Sequence, residues 1–185
     1  MLKVWLWWEH WYLWRHHVRS LTRTSAFMIE VRRYQGKPVT LADGTHVRRG
    51  DRIVELHLAN HRVSGDATNR DWSPFQTLAQ TSADLALIAR LVHRGSLGPV
   101  RALHAVSLIA PALGRVGFTV TPLPATWHTR LLRFYMVGLL AVYHPRGWLA
   151  ARRARDRAWP AEAWASVDDV GRWTDSPSSS LSRRS

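Results

Sequence analysis

Apolar and polar residues alternate with a period of two over Ala26–Tyr34, where Phe27, Ile29 and Val31 point one way and Met28, Glu30, Arg32 and Tyr34 the other. The same period returns over Asp51–Ala59, setting Val54, Leu56 and Leu58 against Ile53, Glu55 and His57. Both stretches read as strands with one apolar face. Asp43-Gly44 separates VTLA from THV and predicts a tight hairpin with a two-residue loop, since Asp-Gly accepts the backbone twist such a loop needs. Arg49-Gly50-Asp51 marks a second turn, with Asp51 capping it, and Asn60 ends the strand that follows.

Helical spacing governs most of the rest. In Met1–Arg23, Val4, Trp8, Trp11, Trp14 and Val18 form one stripe, with Trp5, Trp7 and Tyr12 beside it. That helix either lays its aromatic side across the sheet or lies in a membrane interface, where indole rings are at home. Ser73, Pro74 and Gln76 form a capping box opening a helix that runs to about His93, with Phe75, Leu78, Ala79, Ser82, Leu85, Ala86, Ala89 and Val92 on its buried face. After Gly95–Pro99 a second helix is expected from Pro99 or Val100, with Leu103, Val106, Ile109 and Ala110 aligned and Pro111 ending it. Gly117–Thr121 reads as a short strand. Thr126 caps a third helix to Tyr143, striped by Leu131/Leu132, Tyr135/Met136, Leu139 and Val142/Tyr143. Trp148–Trp159 reads as a short basic helix, and Glu162–Trp173 as one or two weak helical turns. Residues 61–69 form a polar loop, and Ser176–Ser185 is too polar to bury anything. Strands early and helices late predict an α+β fold: a small, mostly antiparallel sheet (a hairpin meander plus one later strand) packed by about three to five helices. The domain spans residues 1–157, and 158–185 is expected to be a weakly ordered tail.

Charge changes this picture. Among 185 residues, 26 Lys+Arg face 13 Asp+Glu, a net charge of +13, and 24 of the 26 are Arg. Such a field favours anionic partners, here an acidic membrane surface or an acidic glycan. The basic segment Arg146–Arg157 has no helix-turn-helix partner or RNP-type aromatic strand, so no specific nucleic-acid reading is expected. Cysteine is absent, which removes disulfides and thiolate metal sites. The most apolar run, Phe134–Tyr143, is about half the length a bilayer core requires. Glu9, His10 and Arg15 argue against a signal peptide. A cytoplasmic protein, peripheral at the inner face of the membrane, is the expectation.

One constellation invites chemistry. Glu55 and His57 share a strand face, and pairing the two long strands gathers Glu30 and Arg32 with them. A carboxylate beside an imidazole orients the ring and raises its basicity, as general-base catalysis needs. The structural alternative is that Glu55 and His57 pair with each other and with Arg32 simply to satisfy a half-buried face. His57 and His61 have the spacing of a helical zinc pair, but on a strand they stand about 13 Å apart. No metal site and no cofactor is expected. There is no P-loop, GxGxxG or GxSxG.

The run Val31–Asn60, VRRYQGKPVTLADGTHVRRGDRIVELHLAN, resembles the signature of the YkoP-like domain family. The pattern of that family falls on Tyr34, Gly36, Val39, Leu41, Asp43, Gly44, Val47, Gly50, Asp51, Ile53, Glu55, Leu56, His57, Leu58 and Asn60. Pro111 and the density of Trp near the start depart from it. Domains of this kind occur alone or beside polysaccharide deacetylases, and near glycosyltransferases of the bacterial envelope. The resemblance therefore implies an accessory or binding domain of cell-envelope polysaccharide or glycolipid metabolism, with a deacetylase or glycosyltransferase as partner. It carries over no catalytic role. The alternative is a small hydrolase or transferase using Glu55 and His57, helped by Arg32, on a glycan or phosphoester.

Overall fold

A computed structural model describes residues 19–22, 25–58, 74–108, 110–143 and 147–174. Its strands are β1 (Arg19–Ser20), β2 (Phe27–Arg33), β3 (Val39–Thr40), β4 (His46–Val47), β5 (Arg52–Leu58), β6 (Ala102–Ser107), β7 (Thr119–Pro122) and β8 (Ala161–Ser166). Its helices are α1 (Pro74–His93), α2 (Ala110–Leu113), α3 (Trp127–Tyr143), α4 (Gly147–Arg157) and α5 (Val167–Thr174), with a 3-10 turn at Gly114–Val116. Six strands form one mixed sheet in the order β1-β2-β5-β6-β8-β7, and β3 pairs with β4 separately. The fold is α+β, as the order of elements predicts.

β2 and β5 pair antiparallel, with Glu30 opposite Glu55 and Ile29 opposite Leu56. Their alternation therefore sorts residues onto two faces in step. β5 and β6 run parallel, which requires a long crossover, and α1 lies in it. The helix packs on the first face, where Leu85, Ile88, Ala89 and Val92 meet Phe27, Ile29, Val54, Leu56, Leu103 and Ala163. Asp84, also buried, fastens this layer: its Oδ2 accepts the backbone N–H groups of Ala26 at 2.7 Å and Phe27 at 3.1 Å. Ser82, expected on the buried face, is exposed. One helical step carries the buried arc onto Thr81, Asp84 and Ile88 instead.

The β3–β4 hairpin folds over one end of the second face, where Val39, Leu41 and Val47 join Tyr34, Ile53, Ala102 and Trp164 in a smaller core. Its loop is longer than the two residues expected. The Leu41 N–H reaches the Thr45 carbonyl at 2.9 Å, leaving Ala42, Asp43 and Gly44 between them, with Gly44 at φ 85°. Asp51 caps its turn as expected, its Oδ2 accepting the Arg48 N–H at 2.7 Å.

Three sequence expectations are corrected. The second helix is strand β6, because ALHAVS is a six-residue run buried on both sides at the middle of the sheet. A fully buried strand and a buried helical segment are indistinguishable by periodicity at that length. AEAWAS, expected to be helical and part of the tail, is β8, flanked by β6 and β7, and α5 follows it. Its three alanines are almost fully buried in the main core, so tertiary packing overrides their helical propensity. The sheet thus carries three late strands rather than one, and the fold extends at least to residue 174. Arg19–Ser20 pairs with β2 instead of ending a helix. The remaining Trp-rich stretch 1–18, the capping Ser73, the loop 61–69, Asn60, His61 and the tail 176–185 lie outside the described residues.

Candidate functional site

The second sheet face carries a register-aligned row. Glu30 on β2 stands opposite Glu55 on β5, Glu55 opposite His104 on β6, and His104 opposite Trp164 on β8. Neighbouring strands lie about 4.8 Å apart, so these side chains project side by side. His57, two residues beyond Glu55, joins the same face. The quartet expected from sequence is therefore assembled, and His104 is added to it.

The pairing differs from the simplest expectation. His57 Nε2 lies 3.2 Å from Glu30 Oε2, across the strands rather than along one. Arg32 Nε makes an ion pair with Glu55 Oε2. Glu55 Oε1 is left on the other side, 3.9 Å from His104 Nδ1. Carboxylates directly opposite one another repel, and Glu30 is buried, so the pair is tolerable only with cationic or hydrogen-bonding neighbours. Arg32 and His57 supply one such neighbour each.

His104 is the unusual member. Only 4% of it is exposed, and neither ring nitrogen has a hydrogen-bond partner among the described residues. The Trp164 ring lies over it with centroids 4.1 Å apart and planes at 32°. Tyr34 meets the same Trp164 edge-on at 5.3 Å, and Trp164 Nε1 donates to Glu162 Oε2 at 3.2 Å. Burial drives the His104 pKa down to about 4, against the pull of Glu55 and with some help from Arg32 and His57. The ring is therefore neutral at physiological pH. Tyr34 shifts the other way: burial and the Glu162 carboxylate raise its pKa, and Arg32 partly opposes them.

Sequence reasoning misses His104 because it places residues 100–110 on a helix. The signal that could find it is the bracket of Gly98-Pro99 and Pro111, which leaves room for a strand of this length. Spacing along one strand argues against a metal site. Across strands, one ligand atom each from Glu30, Glu55 and His57 lies within 4.8 Å of the others.

A second surface lies on the α3–α4 hairpin, inserted between β7 and β8. Thr126 caps α3 as expected, its Oγ1 accepting the Thr129 N–H at 3.2 Å. At the root of the hairpin, Arg133 Nε donates to the Ala158 carbonyl at 2.9 Å and its guanidinium lies 5.2 Å from the Trp159 ring, while Trp159 Nε1 donates to the Leu123 carbonyl at 2.8 Å. Among the described residues, no side chain of α3 enters either core. Trp127, Phe134 and Trp148 are 67%, 78% and 74% exposed, and Leu131, Val142 and Leu149 are exposed with them. Leu131 and Val142, expected on the apolar stripe of this helix, face outward.

No solved structure matches the chain. A 39-residue stretch is 44% identical to a protein of Bacillus subtilis (strain 168), the uncharacterized protein YkoP, and covers 21% of each chain. The profile of the YkoP domain matches residues 1–173, nearly the whole of the described fold, and the chain belongs to that family.

Proposed function

We propose that this YkoP domain is an accessory domain of bacterial cell-envelope polysaccharide or glycolipid metabolism, working at an anionic membrane surface beside a deacetylase or glycosyltransferase. The observation that carries the membrane part is the exposed apolar stripe of the α3–α4 hairpin. Trp127, Leu131, Phe134 and Val142 recur at helical spacing on one side of α3, and Trp148 and Leu149 open α4. Soluble surfaces rarely gather so many large apolar groups. Arg152 and Arg155 follow Trp148 at i+4 and i+7 and are exposed, so cations border the same edge. Indole rings with flanking Arg match the headgroup region of an acidic bilayer, where both gain. No helix among the described residues is long and apolar enough to cross a membrane, so the hairpin would lie on the bilayer rather than span it. The envelope context rests on what domains resembling this one accompany.

Flotation with vesicles of phosphatidylglycerol against vesicles of phosphatidylcholine tests the reading. The wild-type chain should float with the former, and a Trp127→Ala/Phe134→Ala/Trp148→Ala variant, changed only at exposed positions, should stay at the bottom. Equal flotation of variant and wild type would overturn it. So would retention of the chain on an acidic polysaccharide with no vesicle binding, which would make the hairpin a glycan surface.

The gathering of Glu30, Arg32, Glu55, His57 and His104 favours a second reading, a small hydrolase or transferase with Glu55 and His57 as its acid/base pair. Turnover of an acetylated or phosphorylated glycan by the wild type, abolished in Glu55→Gln, would select it.

A further inference from the structure

We propose that Glu30, Glu55, His57 and His104 bind one divalent cation of the borderline first-row class, for which Zn2+ is the natural probe. The inference is independent of membrane docking and starts from the backbone. Three adjacent strands bring Glu30, Glu55 and His104 into one row, and β5 adds His57 on the same face. Two carboxylates and two imidazoles are a donor set of the kind that suits Zn2+ and its neighbours.

Distances agree with such a site. Ligand atoms of Glu30, Glu55 and His57 lie within 4.8 Å of one another, and His104 Nδ1 is 3.9 Å from Glu55 Oε1. An ion with bonds of about 2.0–2.2 Å holds its ligands roughly 3–4 Å apart, so Glu30, Glu55 and His57 need modest side-chain closure, and His104, outside that trio, joins through the shared Glu55 carboxylate by a further shift toward it. The Glu30–His57 hydrogen bond would be exchanged for two bonds to the ion.

The observation that points to a ligand, and not merely to a packed polar cluster, is His104. A buried imidazole with both nitrogens unpartnered is costly, and nothing in the strand requires that residue: a phenylalanine would stack on Trp164 as well. A cation at Nδ1 satisfies that one nitrogen, leaving the Nε2–H, and at the same time neutralises the opposed carboxylates. The surrounding groups act as supports. Arg32 holds Glu55 Oε2, turning Oε1 toward His104, and Trp164 fixes the ring plane.

The test uses the full chain stripped with a chelator, then dialysed against Zn2+ and analysed for bound metal, with Co2+ absorption reporting the coordination. The expected result is one ion per chain beyond any bound by a Glu55→Gln/His104→Phe variant, and a Co2+ spectrum of low-coordinate type that this variant lacks. The single His104→Phe and Glu55→Gln variants should each weaken binding by about tenfold or more. His93→Gln, at an exposed residue outside the cluster, should bind as the wild type does. Circular dichroism of each variant separates lost ligation from lost fold. Binding that is equal in the wild type and the double variant, or no binding at all, would overturn the proposal and leave an ordinary buried water as the partner of His104.

Discussion

Replacing His104 by phenylalanine should make the metal-free protein more stable, although it removes a residue from the candidate site. The two ring nitrogens are buried with no partner among the described residues, and each such group costs about 1–3 kcal/mol. Phenylalanine keeps a flat ring against Trp164, 4.1 Å away, but it is larger, and overpacking returns about 1–3 kcal/mol. The expected net gain is about 1–3 kcal/mol, or roughly 2–4 °C in Tm for each kcal/mol in a chain of this size. Urea unfolding followed by tryptophan fluorescence, with chelator present, measures it as a rise in midpoint at constant slope.

Acid should widen the gap. The His104 pKa is about 4 in the fold against 6.5 for a free ring, so between those values the unfolded chain takes up a proton that the native chain refuses. Stability from this group is therefore complete above pH 6.5 and falls as pH drops toward 4, by about 3 kcal/mol in all and about 2 kcal/mol by pH 5. The charged groups acting on the ring, Glu55, Arg32 and His57, are all retained in the variant. A variant less stable than the wild type, or a difference that stays flat from pH 7.5 to 5, would refute the reasoning: the nitrogens would then be satisfied in solution.

Two further perturbations probe the frame that holds the site. Asp84→Ala strands the Ala26 and Phe27 N–H groups under α1 and should cost about 3–5 kcal/mol, with Asp84→Asn losing less because an acceptor oxygen remains; a loss below about 1 kcal/mol in urea would show that the start of β2 does not depend on this carboxylate. Gly50→Ala meets no atom within 4 Å, so only its φ of 96° resists, and a loss of about 1 kcal/mol is expected; a neutral result by the same assay would mean that the turn relaxes.

What the chain discloses in advance follows from how far each signal reaches. Alternation over β2 and β5 is local and bounded by turns, so both strands, their facing and the quartet of Glu30, Arg32, Glu55 and His57 are legible. Gly44, Gly50 and Thr126 announce turns and a cap through chemistry confined to a few residues. The opposite holds for β6 and β8. Both are six-residue segments rich in alanine, and what makes them strands is the company of β5 and β7, not their own preference. The α3 stripe misleads for a related reason: helical spacing identifies an apolar side but not what it meets, and here Phe134 and Trp127 meet no core among the described residues. His104 sits where these limits coincide. Its neighbours in space, Glu55 and Trp164, are 49 and 60 positions away, and they become neighbours only once a parallel crossover and an antiparallel return fix the register. A ligand set drawn from three strands is therefore invisible to any motif of fixed spacing. Cross-strand register, not motif, is what the candidate site is made of.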